Sequence, residues 1–186
     1  VYHANDSHWN NRGALVACRA VCARLHAWFP EIAAAADEAF EVSLGRHEGG
    51  LGRMLGLEAE YAIDAEFLAP AGGWRAVQED VSPEADYLWT PNRITGTVSA
   101  EVRTNAAGER RLLVFHDSFG RYHLNELLGE HFSRSVFLFR RSDFESLRTL
   151  VEAARPDVVI DELVERSLQE PLETHPEWEA ARRRRP

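Results

Sequence analysis

Three short apolar runs separated by helix-like segments occupy the last third of this 186-residue chain. The apolar runs lie at residues 112–115, 136–139 and 157–160, and the segments between them, 122–132 and 143–154, have helical periodicity. Buried strands that alternate with helices form parallel sheets, because each crossover connection needs about the length of a helix. The pattern therefore predicts an α/β fold with a mainly parallel sheet.

The N-terminal third is predicted to be helical. Asn10 is a typical helix N-cap, and apolar residues then recur with helical spacing until Pro30. A second amphipathic helix is predicted over residues 30–43. The glycine-rich turn at 47–50 leads into a short helix with Gly56 as its C-cap. It lacks the preceding strand and the glycine order of a phosphate-binding loop.

The middle of the chain, residues 59–110, is punctuated by proline and glycine between short runs rich in β-forming residues. We predict a small irregular β meander there, with a hairpin turn at 105–109 that joins a strand at 97–102 to the next strand. The domain is expected to span residues 1–170, and residues 171–186 to form a polar C-terminal tail.

The charge of the chain limits its partners. The formal net charge is -9, and every basic residue is an arginine. This balance argues against a nucleic-acid partner and against an anionic membrane surface. No apolar run approaches the roughly 20 residues of a membrane-spanning helix. Because the chain begins with Val1 and enters a motif almost at once, we expect the N-terminal part of the domain to be missing.

Two cysteines, Cys18 and Cys22, lie four residues apart in the first predicted helix. Their positions share one helix face but are poorly placed for a disulfide, so we assign them to packing. The histidines and aspartates near His8 and His116 lack the spacing of a strong metal motif, and we predict no metal site and no cofactor.

A serine nucleophile and its partners are the strongest chemical signal. Ser118 follows the predicted strand 112–115, at the sheet edge where open α/β folds bind ligands. A serine hydroxyl needs an imidazole to take its proton. His8 is the preferred base because Asp6 can hold its other ring nitrogen. His116, His123 and His131 remain rival bases.

Residues around Ser118 supply further candidates. Backbone amides of Ser118, Phe119 or Gly120 are expected to form an oxyanion hole, and Gly120 to let the backbone approach a substrate. We also assign substrate contacts to Tyr122 and Glu162; for Glu162 the alternatives are an ion pair with Arg166 and a solvated helix start. Trp9 either packs the loop or stacks on a sugar ring.

Four separated segments resemble the SGNH-hydrolase-like domain of the alginate O-acetyltransferase AlgJ/AlgX family, which acts in bacterial exopolysaccharide O-acetylation. They are Asp6-Ser7-His8-Trp9-Asn10 with Gly13-Ala14, the 53–57 turn, Asp117-Ser118-Phe119-Gly120, and residues 156–160 with Glu162 and Glu165-Arg166. The resemblance implies a three-layer sandwich and a triad of Asp6, His8 and Ser118.

The same resemblance implies a function and a place. It predicts O-acetyl transfer to an extracellular polysaccharide through an acyl-serine, in the periplasm or cell envelope, with a membrane O-acyltransferase as the expected acetyl-donor partner. A carbohydrate O-acetylesterase is the nearest alternative. A non-catalytic polysaccharide-binding module that uses Trp74, Tyr87 and Trp89 is the third.

Overall fold

The computed structural model describes residues 1–79, 100–139 and 144–165. Within them lie five α-helices: α1 (Asn11–His26), α2 (Gly50–Leu55), α3 (Glu58–Tyr61), α4 (Asn125–Gly129) and α5 (Phe144–Ala154). The same residues form seven strands: β1 (Phe40–His47), β2 (Ile63–Pro70), β3 (Val77–Glu79), β4 (Ala100–Thr104), β5 (Arg111–His116), β6 (Arg134–Phe139) and β7 (Val158–Asp161). Tyr87, Trp89, Arg166 and the 171–186 tail lie outside the described residues. No helix in the described ranges is long and apolar enough to cross a membrane.

The main sheet has five strands in the order β3-β4-β6-β5-β7. β5 lies between β6 and β7 and is parallel to both, so the predicted strand-helix-strand-helix-strand unit is confirmed. β3 and β4 extend the sheet on the β6 side with antiparallel pairings. The sheet is thus mixed. Its parallel strands are β6, β5 and β7, and Ser118 follows β5.

Helices cover both faces of this sheet. Along β5, Leu112 and Val114 point to one side and pack with residues of α1 and α4, in a cluster that includes Leu128. Leu113 and Phe115 point to the other side, in a cluster that includes Leu150 of α5. Alternating side chains of one strand therefore serve two cores, which confirms the predicted α/β class and its three layers.

The prediction of a helix over residues 30–43 is wrong. Its second half is a 3₁₀ turn at Asp37–Ala39 followed by β1, which pairs antiparallel with β2 over eight residues from Phe40↔Pro70 to His47↔Ile63. The run of four alanines before Asp37 has high helix propensity, but propensity is a weak preference that tertiary pairing overrides. Strand pairing satisfies the backbone of residues 40–43 instead.

The hairpin predicted at 105–109 is also wrong. A turn is present, with the Gly108 amide donating to the Asn105 carbonyl at 3.1 Å. However, β6 lies between β4 and β5. The Asn105 amide donates to the Ser133 carbonyl at 3.0 Å, and a Cβ on Gly108 would lie 2.3 Å from the Phe132 carbonyl carbon. The turn therefore packs against the connection between α4 and β6. Residues 97–99 lie outside the described part of the chain.

Two capping predictions are confirmed, and one helix is shorter than predicted. The Asn10 side chain accepts from the Gly13 amide at 3.0 Å at the start of α1, and Gly56 ends α2 in a left-handed conformation with φ 68°. The helix expected over 122–132 instead consists of a π turn at Gly120–Leu124 and then α4. His123, with φ 68°, interrupts the helical geometry.

Candidate catalytic site

The loop that carries Asp6 and His8 is docked on the segment that carries Ser118. The loop leads directly into α1, whose side packs on the π turn after β5. The Trp9 indole donates to the Tyr122 carbonyl at 2.9 Å, and its ring meets the Phe119 ring edge-on at a centroid distance of 5.2 Å. Trp9 thus has the packing role, which is one of the two roles predicted for it. It joins segments that are far apart in sequence.

Asp6, His8 and Ser118 form one hydrogen-bonded chain. His8 Nδ1 lies 2.7 Å from Asp6 Oδ1, and His8 Nε2 lies 2.8 Å from Ser118 Oγ. An ionised carboxylate only accepts, so Nδ1 carries a proton and Nε2 of the neutral ring is free to accept one from the serine. The geometry is that of a carboxylate, a base and a hydroxyl nucleophile.

The Asp6 carboxylate is buried and held by three hydrogen bonds. Besides the His8 ring, the His8 amide donates to Oδ1 at 3.1 Å and the Gly50 amide donates to Oδ2 at 2.7 Å. Burial would raise the pKa of Asp6, but these hydrogen bonds outweigh it and lower the pKa to about 2. The carboxylate is therefore ionised at neutral pH.

The glycine-rich turn at 47–50 supports the Asp6 loop. Gly49 has φ 71°, and a Cβ there would lie 2.3 Å from the Asn5 carbonyl oxygen. The Asn5 side chain donates to the carbonyls of His47 and Tyr61 at 3.0 and 2.8 Å. Sequence reasoning missed the role of Gly50 in orienting Asp6. The paired glycines before a short helix were the available signal.

The rival histidines have other partners. His116 is buried; its Nδ1–H donates to the Asp117 carbonyl at 2.7 Å, and its Nε2 lies 3.2 Å from the Asn125 amide nitrogen. Burial lowers the pKa of His116, so the ring is neutral and engaged on both sides. His123 pairs with Glu126 at 3.3 Å. His131 lies beside the two cysteines.

The Phe119 and Gly120 amides have carboxylate partners in the structure, and the oxyanion hole expected from the amides of Ser118, Phe119 or Gly120 stays a prediction. The Phe119 amide donates to Asp117 Oδ1 at 2.8 Å, and the Gly120 amide donates to Glu162 Oε2 at 3.2 Å. Both donors therefore already serve carboxylates. The close approach that Gly120 permits is to His116, because a Cβ there would lie 2.6 Å from the His116 Cβ.

Glu162 braces the turn that presents Ser118. Its Oε2 accepts from the amides of Asp117 and Gly120, both at 3.2 Å, and its own amide donates to the Phe115 carbonyl at 2.8 Å. Burial and the charge of Asp117 raise the pKa of Glu162 to about 7. The predicted contact between Glu162 and a substrate stays a prediction.

Tyr122 forms one wall beside the imidazole. Its ring stacks on His8 with a centroid distance of 4.3 Å and an interplanar angle of 26°, and about a third of the residue, 36%, is exposed. The break in the helix at His123 sets this position. Tyr122 can therefore restrain the His8 ring, while its substrate contact stays a prediction.

Comparison with known proteins supports the fold. The sequence matches no family model and no curated protein. Among solved structures, PatB1 of Bacillus cereus, solved with a sulfonyl adduct, has a TM-score of 0.59 at 14% identity, covering 87% of this chain and 59% of that chain. A DHHW family protein of Eubacterium siraeum has a TM-score of 0.55 at 12% identity, covering 87% and 58%.

A third solved structure is the O-acetyltransferase domain of Pseudomonas putida AlgJ, with a TM-score of 0.44 at 16% identity, covering 97% of this chain and 59% of that chain. That similarity is too low to support an inference. The likeness to PatB1 and the DHHW family protein shows that the chain has their fold, as the sequence resemblance predicted. The chain spans about three fifths of the length of each.

Proposed function

We propose that this chain is a serine acyltransferase that moves an acetyl group onto a polysaccharide hydroxyl. The observation that carries the proposal is the hydrogen-bonded chain from Asp6 through His8 to Ser118. It joins residues 110 positions apart with the two contacts that activation of a serine requires. The sequence resemblance assigns a triad to the same three residues, and this supports the proposal.

The reaction uses these three residues in two half-reactions. Ser118 Oγ attacks the acetyl carbonyl of the donor while its proton passes to His8 Nε2. Asp6 stabilises the imidazolium through Nδ1–H. The tetrahedral intermediate collapses, and His8 gives the proton to the departing donor oxygen. An acceptor hydroxyl then attacks the acyl-serine and loses its proton to His8. The second tetrahedral intermediate collapses by breaking the bond from the acyl carbon to Ser118 Oγ, and His8 returns the proton to that oxygen.

The substrate class rests on the resemblance of four segments to polysaccharide O-acetylation proteins. Water and a sugar hydroxyl attack the same acyl-serine, so the triad is equally compatible with an O-acetylesterase. PatB1 was solved with a sulfonyl adduct, and this supports the presence of a reactive nucleophile on the shared fold. We place the activity in the periplasm or cell envelope, with an acetylated membrane O-acyltransferase as donor.

The first experiment tests the nucleophile. The release of para-nitrophenol from para-nitrophenyl acetate is measured for the unchanged chain, for Ser118→Ala and for Ser43→Ala. The last variant changes an exposed serine of β1. We expect S118A to lose activity by at least about 10³-fold and S43A to retain it. A sulfonyl fluoride should label Ser118, as found by mass spectrometry. Activity that survives S118A would overturn the assignment.

A second experiment identifies the acceptor. Acetate release from the acyl-enzyme and acetylation of added polysaccharide are measured together, by chromatography and mass spectrometry. If the acetyl group is transferred, added polysaccharide should increase the amount of acetylated glycan and decrease the amount of free acetate. Hydrolysis that no polysaccharide can divert would support the esterase instead, and glycan binding by a chain without esterase activity would support the binding module.

A further inference from the structure

Two thiols and an imidazole converge at a place that the proposed reaction does not use. Cys18 and Cys22 lie one turn apart on α1, and His131 follows α4. The two Sγ atoms are 3.9 Å apart, and these atoms and one ring nitrogen of His131 all lie within 4.8 Å of one another. Both cysteines are free and buried. They pack in the core as predicted, but packing alone does not explain the histidine.

We propose that Cys18, Cys22 and His131 bind a zinc ion. A tetrahedral zinc ion with Zn–S near 2.3 Å and Zn–N near 2.0 Å holds its sulfurs about 3.8 Å apart and its nitrogen about 3.5 Å from each sulfur. The observed Sγ···Sγ distance already matches. The widest separation in the cluster, at most 4.8 Å, closes with a small rotation of a side chain.

The charge balance favours a zinc ion at this position. Binding removes one proton from each thiol, so two thiolates and one divalent cation form a neutral unit. A neutral unit is compatible with the surrounding cluster, where Leu15 and Leu128 are buried beside the cysteines.

A cavity gives the metal a path and a fourth ligand. Cys18 and His131 line a cavity of about 400 Å³ that is partly open. Three protein ligands leave one tetrahedral position, which a water molecule from this cavity can fill. The cavity also contains the Glu130 side chain, but that carboxylate is held by Arg75 at 3.0 Å and by the Ala76 amide at 2.7 Å.

The site is separate from the triad. Cys18 lies eight residues beyond Asn10 on the helix that follows the Asp6 loop, about 12 Å along its axis. Zinc would connect α1, which follows the loop that carries His8, to the segment after α4, a helix that begins seven residues beyond Ser118. Its role is therefore to stabilise the packing of these parts, and not to take part in acyl transfer.

The test measures zinc directly. The full chain is reduced with a phosphine, incubated with zinc, dialysed, and analysed for metal content. We expect about one zinc ion per chain, a higher melting temperature than after chelation, and release of protons on binding. Cobalt in place of zinc should give a thiolate-to-metal charge-transfer band. Variants Cys18→Ser with Cys22→Ser and His131→Gln should bind zinc at least about tenfold more weakly.

Controls keep the result specific. His26→Gln changes a histidine of the same helix that contacts the Ile32 carbonyl rather than the cluster, and it should bind zinc like the unchanged chain. Circular dichroism checks that each variant is folded, and H131Q remains decisive if the cysteine variants unfold. A reduced chain that holds no zinc after dialysis would overturn the proposal. So would zinc binding that is unchanged in both folded H131Q and the cysteine variants.

Discussion

The Asp6 carboxylate accepts a hydrogen bond from the Gly50 amide at 2.7 Å, across 44 positions of sequence. This contact fixes the carboxylate oxygen that does not face His8. It also depends on Gly49, whose backbone lies so close to Asn5 that a side chain has no room. The position of His8, the proposed base, thus depends on a turn that contains none of the three proposed catalytic residues.

Substitution Gly49→Ala should therefore disturb both stability and activity. Gly49, with φ 71° and ψ 150°, lies in a backbone region that is essentially restricted to glycine and costs a residue with Cβ about 1–3 kcal/mol, and the new Cβ would also displace Asn5. We expect a total loss of at least about 3 kcal/mol in the free energy of unfolding, with esterase activity reduced about 10²-fold because Asp6 shifts. Urea unfolding and para-nitrophenyl acetate hydrolysis measure the two effects.

Gly56 offers a control for this substitution at another glycine with positive φ. Its φ of 68° and ψ of 29° place it in the αL region, whereas Gly49 has ψ 150°, and a Cβ on Gly56 meets nothing within 4 Å. Gly56→Ala should cost about 1–2 kcal/mol and leave activity unchanged. If G49A and G56A lose equal stability and G49A keeps full activity, the contact between the turn and the Asp6 loop is unimportant.

Asp6→Asn tests the orientation of the imidazole. The amide keeps the size of the carboxylate but no longer stabilises the charged ring or fixes its tautomer. We expect kcat to fall by about 10³–10⁴-fold with KM little changed. Steady-state kinetics measure both constants. Asp64→Asn, which changes an exposed carboxylate paired with Arg46, serves as the control and should keep kcat.

The lowered pKa of Asp6 also predicts a change of stability with pH. Its folded pKa of about 2 lies below the ordinary 3.8, so its contribution is complete above about pH 4 and is lost as the pH falls toward 2. The free energy of unfolding of the unchanged chain should exceed that of D6N by about 2 kcal/mol near neutral pH and by much less near pH 2. An equal difference in unfolding free energy at both values would contradict this.

How much could be predicted from sequence depended on how local the signal was. The strand before Ser118 carries its own pattern, a continuous apolar run bounded by polar residues, and it was placed correctly. β1 was missed because its partner, β2, lies beyond α2 and α3 in the sequence. The run of alanines gives no signal of this pairing. Pairing at long range decides such segments, and propensity does not.

The same distinction holds within the site. Asp6 and His8 are two residues apart in a single loop, so their pairing could be proposed from spacing alone. The amides of Phe119 and Gly120 could not be judged in this way, because their acceptors depend on how Asp117 folds back and on Glu162, 42 residues beyond Gly120. A free amide at a helix start is only a potential donor until its tertiary partners are known.

The stack of Tyr122 on His8 predicts a split between two substitutions. Tyr122→Ala removes the ring that limits movement of the imidazole, and kcat should fall about tenfold or more. Tyr122→Phe keeps the ring and should stay within about twofold of the unchanged chain if the ring alone matters. Kinetics with para-nitrophenyl acetate measure both. Equal losses in the two variants would assign the effect to the phenol hydroxyl instead.

Glu162 predicts a dependence of opposite sign to that of Asp6. Its folded pKa of about 7 lies above the ordinary 4.5, so the folded chain holds the proton more tightly than the unfolded chain does. The free energy of unfolding should therefore fall as the pH rises from about 4.5 to about 7, and then level off. After allowance for the partial exposure of Glu162, the expected loss is about 1–2 kcal/mol.

Glu162→Gln isolates this term because the amide keeps an oxygen that can accept from Asp117 and Gly120. E162Q should gain stability relative to the unchanged chain above about pH 7, but gain little near pH 4.5. Thermal unfolding of both chains across this range measures the difference, with Glu165→Gln, at an exposed neighbouring position, as control. The prediction fails if the difference does not change with pH. In that case the carboxyl group of Glu162 titrates alike in both states, and its burial beside the charge of Asp117 does not raise its pKa.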